Sequence, residues 1–168
     1  MSEDVVRSTF VPILVLTLVF LTRALFSGFE HAGKSVANGD TRSDSVVKIS
    51  ASAQKPDGQG RQVVTVDIAI DPGWHLYANP VPKDFPGVPT TVTVAGFKPE
   101  EVKIEYPSGK PVKDPFAGDH NVYEGTVTIK AALKRAPHDT RPVEINVKLQ
   151  ACTQDKCLLP ATLNLTVP

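Results

Sequence analysis

This sequence has no excess of either charge: Lys+Arg and Asp+Glu both number 18, for a net charge of zero at pH 7. No basic field argues for nucleic acid, and no polybasic tail argues for anionic lipid. A Ser/His/Asp order, paired carboxylates, a Gly-rich phosphate loop and a dinucleotide fingerprint are all missing, which leaves hydrolytic and nucleotide-dependent chemistry without support. After Ser27 no stretch carries a 3.6-residue apolar period, so helical architectures lack a signal too. Cysteine is scarce, with only two in the chain, and both fall in one short segment as Cys152 and Cys157.

What the sequence does have is alternation. Val64, Val66, Ile68 and Ile70 alternate with Thr65, Asp67 and Ala69; Val102, Ile104 and Tyr106 with Lys103 and Glu105; Val127, Ile129, Ala131 and Leu133 with Thr128 and Lys130. These are strands with one wet face. Shorter candidates are Val46 to Ala53, Trp74 to Ala78 and Thr91 to Ala95. The 15 prolines crowd the middle of the chain, so that 71–89 and 107–121 read as largely irregular and pairing there is limited to edges. About seven to nine short strands between Pro- and Gly-rich turns predict an all-β fold, an immunoglobulin-like antiparallel β-sandwich, with a small barrel as the alternative. The length suits one domain with a sizeable core.

The N-terminus differs from the rest. Phe10 to Leu21 is almost wholly apolar and follows Arg7, as in a secretory h-region. At about a dozen residues it is shorter than the roughly 20 of a membrane-spanning helix, unless the span extends to Phe26 with Arg23 snorkelling. Residues 1–28 are therefore expected to be a signal peptide or short membrane anchor. Residues 29–45, polar and rich in Gly and Ser, are expected to be a flexible linker, and 46–168 the folded domain. An exported chain sits where disulfides form and persist.

The cysteines lie between two more alternating segments, Val143 to Leu149 and Leu163 to Val167. Paired antiparallel, these flanks would bring Cys152 and Cys157 to facing positions, within the reach of a disulfide. So short a loop gains only about 2 kcal/mol from cross-linking, which makes it a weak staple. Spacing alone leaves an inert bridge, a redox pair and a metal site all open. The histidines are scattered, and although the two thiolates with His75 and His120 could make a four-ligand site, no zinc-finger spacing is present. Neither a metal nor another cofactor is expected. Trp74 and Tyr77 are read as partly core, with polar atoms that could line a site edge. Phe116, near the tip of a polar loop, is either folded back onto the core or a lid over a nearby site.

Three motifs in order carry a family resemblance: Asp71-Pro72-Gly73-Trp74-His75-Leu76-Tyr77, then Asp114-Pro115-Phe116-Ala117-Gly118 leading to Val122-Tyr123, then Leu149-Gln150-Ala151-Cys152 to Cys157-Leu158-Leu159-Pro160. Together they resemble the N-terminal periplasmic domain of the thiol:disulfide interchange protein DsbD, over roughly Val46 to Pro168. The resemblance implies a periplasmic immunoglobulin-like domain whose cysteine pair takes electrons from a membrane-embedded thiol reductase and passes them to thioredoxin-like acceptors. It implies that Cys157 forms the mixed disulfide and Cys152 resolves it. It further implies a cap loop of Asp114, Phe116 and Gly118, with Phe116 shielding the sulfurs, and adds Tyr123 to Trp74 and Tyr77 as a site-lining candidate. Because the sequence ends at Pro168, the reductant is expected to come from another polypeptide. The competing reading is a non-catalytic binding sandwich with a structural disulfide.

Overall fold

The computed structural model describes residues 41–115 and 117–168. The expected signal or anchor segment, residues 29–40 of the linker, and Phe116 lie outside the described residues. Eleven strands follow in chain order: β1 (Val47–Ala53), β2 (Arg61–Ile70), β3 (His75–Tyr77), β4 (Thr91–Val94), β5 (Val102–Glu105), β6 (Lys110–Val112), β7 (His120–Tyr123), β8 (Thr126–Lys134), β9 (Val143–Leu149), β10 (Ala151–Cys152) and β11 (Ala161–Val167). Among the described residues the helical elements are two short 3-10 turns, Ser43–Val46 before β1 and Pro99–Glu101 before β5. Among the described residues no helix is long and apolar enough to cross a membrane.

All strand pairings are antiparallel and form sheets in the orders β1-β2-β8-β5, β11-β9-β4 and β10-β3-β7-β6. The immunoglobulin-like sandwich expected from the alternation is the fold. In β2 and β8 every second residue is buried, and Val64, Val66, Ile68, Ile129 and Leu133 join Ile145, Val147 and Leu149 of β9 in one hydrophobic cluster. A period-two pattern needs such a facing layer to bury its apolar side.

The structure departs from the sequence reading in three places. There are more strands than anticipated, because 107–121 is not wholly irregular: it contains β6 and the start of β7. Pro111 pairs with Asn121 in β6, which lies at a sheet edge, where a missing N–H donor is tolerated. Residues 41–45, assigned to the linker, belong to the folded unit. Ser43 is fully buried, and its N–H donates to the Leu159 carbonyl at 2.9 Å. Main-chain pairing of this kind needs no apolar periodicity, so the polar composition of the segment concealed it.

The third departure fixes the position of the cysteines. The flanks pair as predicted, with Leu149 opposite Ala161 and Val143 opposite Val167. Beyond Leu149, however, the chain changes sheets at Gln150, and β10 pairs with β3 rather than continuing the ladder of β9. Gln150 holds the crossing: its Oε1 accepts from Val88 N–H at 3.0 Å and its Nε2 donates to the Leu158 carbonyl at 3.2 Å.

Candidate redox site

Cys152 and Cys157 face each other across an antiparallel bridge and are joined by a disulfide, with Cα atoms 4.0 Å apart. The intervening turn is closed by Thr153. Its N–H donates to the Lys156 carbonyl at 2.8 Å, and its Oγ1 accepts from the N–H groups of Asp155 and Lys156, both at 3.2 Å. A Thr hydroxyl capping its own turn in this way fixes the loop without apolar contacts. Burial divides the two sulfur-bearing residues: Cys152 is 1% exposed, whereas Cys157 lies on the surface.

Strand β3 supplies the floor. Its alternation sends Leu76 into the core and leaves His75 and Tyr77 half-buried on the opposite face, with His75 directly across from Cys152. The Tyr77 hydroxyl is 3.4 Å from Cys152 Sγ and 3.6 Å from Cys157 Sγ. A disulfide sulfur carries no proton, so the phenol is the donor. An ordinary phenol is already protonated at neutral pH, and burial, with the charge of Asp114 second, raises the pKa of Tyr77 further.

The Tyr77 ring is held from two further sides. Phe85, from the proline-rich loop after β3, meets it edge-on with centroids 4.8 Å apart, and His120 of β7 does so at 5.5 Å. Phe85 and His120 also touch each other, at 4.9 Å. The His120 Nδ1 lies 2.8 Å from the Gly118 carbonyl, which can only accept, so Nδ1 carries the proton. Burial lowers the pKa of His75; Glu124 opposes that shift and His120 adds to it.

A cleft of about 550 Å³ opens beside Cys157, with His75, Tyr77, Asp114, His120 and Lys156 among its walls. Tyr77 lies at the sulfurs. Trp74 flanks the hairpin, its ring 5.8 Å from the Lys156 ammonium. Asp114 and Gly118 close one turn, with Gly118 N–H donating to the Asp114 carbonyl at 2.9 Å and Gly118 at φ +81°, a conformation that suits glycine. Phe116 between them lies outside the described residues. Tyr123 is a correction: it is 3% exposed within the core cluster, and its hydroxyl donates to the Pro107 carbonyl at 3.1 Å. Alternation along β7 explains this, since His120 and Val122 line the cleft while Tyr123 points the other way.

In the sequence His75 and His120 stand out as candidate metal ligands and His75 also falls in a family motif, while the i, i+2 spacing of His75 and Tyr77 on one strand puts both on one face. Phe85 had no signal, because it sits in an irregular loop. Among the described residues, no group of three or more His, Cys, Asp or Glu side chains is arranged to hold a metal ion.

The sequence model described as "Thiol:disulfide interchange protein DsbD, N-terminal" matches residues 43–167. No curated protein sequence matches the chain. Among solved structures, the reduced form of the Neisseria meningitidis DsbD N-terminal domain superposes with a TM-score of 0.50 at 16% identity, over 73% of this chain and 84% of that one. The N-terminal periplasmic domain of ScsB from Proteus mirabilis gives 0.49 at 22% identity, over 71% of this chain and 44% of that one. A complex between the DsbD and PilB N-terminal domains of Neisseria meningitidis gives 0.48 at 14% identity, over 69% and 80%. The family match spans well over half of the chain and takes in the whole cysteine hairpin; this chain belongs to the DsbD N-terminal domain family of thiol:disulfide interchange proteins.

Proposed function

We infer that the domain exchanges its Cys152–Cys157 disulfide with partner thiols as an extracytoplasmic electron relay. The observation that carries this reading is the unequal exposure of the two cysteines, 1% for Cys152 against a surface position for Cys157. An incoming thiolate can reach only an accessible sulfur, so attack falls on Cys157 Sγ. The Sγ–Sγ bond breaks, a bond forms between the partner sulfur and Cys157, and Cys152 leaves as a thiolate. The Tyr77 hydroxyl, 3.4 Å from Cys152 Sγ, is placed to donate to that developing charge. A second partner thiolate then attacks the partner sulfur of the mixed disulfide. The partner becomes a disulfide, Cys157 leaves as a thiolate, and two electrons have entered the domain. Running the sequence backwards delivers them to an acceptor disulfide.

Family membership supports a membrane-embedded thiol reductase as donor, thioredoxin-like proteins as acceptors and a periplasmic location. The N-terminal apolar segment fits export or anchoring there. The cap role of Asp114, Phe116 and Gly118 belongs to the same proposal: Asp114 lines the cleft that holds Cys157, and Phe116 is assigned by the family motif.

The test is to trap partners. A Cys152→Ala variant keeps the attacking Cys157 thiol and lacks the group that resolves its mixed disulfide, so it should accumulate disulfide-linked thioredoxin-like proteins, whereas Cys157→Ala should not. A wild-type reduction potential below about −300 mV, the range of structural disulfides, together with no trapped partner, would assign the bridge to structure alone.

A further inference from the structure

Two side chains that touch neither sulfur grip the base of the redox hairpin. Ser43, fully buried and 108 residues from Ala151 in sequence, bonds to both arms. Its Oγ accepts from Ala151 N–H at 2.9 Å and donates to the Leu159 carbonyl at 2.7 Å, while its own N–H donates to the same carbonyl at 2.9 Å. Gln150 ties the descending arm to the proline-rich loop, through Leu158 O at 3.2 Å and Val88 N–H at 3.0 Å. Between these anchors the arms are joined directly by Leu158 N–H donating to Ala151 O at 2.9 Å. Ala151 immediately precedes Cys152, and Leu158 and Leu159 are the two residues after Cys157. Every bond ends on a backbone group, whose hydrogen-bonding chemistry is the same in the disulfide and dithiol states.

We propose that Ser43 and Gln150 are positioning residues for the Cys152/Cys157 pair, holding the two arms at the separation from which the disulfide closes. The inference rests on the exchange reading above and concerns its closing step. In that step the Cys152 thiolate attacks Cys157 Sγ in the mixed disulfide. The Sγ152–Sγ157 bond forms, the bond from Cys157 to the partner sulfur breaks, and the partner leaves as a thiolate. The effective concentration of one thiol at the other depends on how far the arms can separate once the covalent link is gone. Side chains that clamp both arms limit that freedom in the reduced protein, and so favour closure. Ser43 also makes the segment just after the N-terminal region part of the site's support.

The experiment equilibrates wild type, S43A and Q150M in dithiothreitol redox buffers and reads the oxidised fraction by alkylation and mass measurement. Urea unfolding of each variant is followed in both redox states. Loss of the two side-chain hydrogen bonds that each variant removes should move the equilibrium toward the dithiol by about three- to tenfold; tenfold is about 30 mV for a two-electron couple. Resolution of a preformed mixed disulfide should slow by a similar factor. A purely structural role would lower the urea midpoint equally in the oxidised and reduced proteins and leave the equilibrium constant at its wild-type value, and that result in a folded variant overturns the proposal for its residue. Should S43A not fold, Q150M, altered at a half-buried position, carries the test. The equilibrium is measurable whether or not the protein relays electrons. An unchanged constant in the variants therefore rejects positioning alone, whereas failure of the wild type to exchange with any protein dithiol rejects the relay and leaves the comparison of variants intact.

Discussion

The Tyr77 hydroxyl stands 3.4 Å from Cys152 Sγ, the buried member of the pair, on a strand where His75 faces the same cysteine. The phenol is protonated at neutral pH, and its pKa is raised further, first by burial and then by Asp114. Tyr77 therefore offers a donor to the sulfur that must leave as an anion.

Removal of that donor should slow exchange. Tyr77→Phe is expected to reduce the rate of attack by dithiothreitol on the order of tenfold, the scale of one hydrogen bond to a charged group, and to raise the pKa of Cys152 in the reduced protein. Stopped-flow reduction and thiolate absorbance against pH measure the two effects. An unchanged rate would leave Tyr77 with a packing role.

The fold should not need the disulfide. A loop this short contributes about 2 kcal/mol on chain-entropy grounds, and the core drawn from β2, β8 and β9 is independent of it. The double Cys152→Ala, Cys157→Ala variant is expected to retain cooperative unfolding and its β-sheet circular dichroism at room temperature. Loss of that spectrum would make the bridge a staple.

Gly87 should be intolerant of a side chain. A Cβ there would lie 2.7 Å from a Phe85 ring carbon and would also overlap the Tyr77 ring. Gly87→Ala is expected to destabilise by about 1 to 3 kcal/mol, as overpacking does, and to perturb exchange by moving Tyr77. Urea midpoints and reduction rates together test this; a wild-type midpoint would mean that the loop yields freely.

Acid should weaken the domain through His75. Its folded pKa is lowered by burial, with Glu124 opposing and His120 adding to the shift, so below the unfolded value of about 6.5 the unfolded chain binds the proton more readily. Stability is then expected to be fully present above that value and to decline as pH falls through the folded pKa. In His75→Asn the urea midpoint should fall less over the same interval. Parallel curves would assign the pH dependence elsewhere.

Phe116→Ala addresses the cap role assigned by the family motif. The expected outcome is faster reduction of the disulfide by small thiols with little change in urea midpoint. A core role would instead cost about 3 to 5 kcal/mol and leave the rate unchanged.

Much of this protein is legible in its sequence because its strands are half-buried. Apolar residues, mostly valine, isoleucine and leucine, alternate along β2, β8 and β9 and can hide only on one face of a sheet, and that constraint determined the all-β class, the pairing of β9 with β11 and the facing of Cys152 and Cys157. The ordered motifs also identified the family. Tertiary structure alone decided the rest. The change of sheet at Gln150, the burial of Cys152 beside an exposed Cys157, and the meeting of Tyr77 with Phe85 and His120 all depend on contacts between segments distant in sequence. Ser43 lay within a polar stretch with no periodicity, and Tyr123 sat in a motif whose alternation turned it inward. Hydrogen bonds to backbone and contacts across irregular loops leave no repeat in a sequence, whereas burial of a sheet face does.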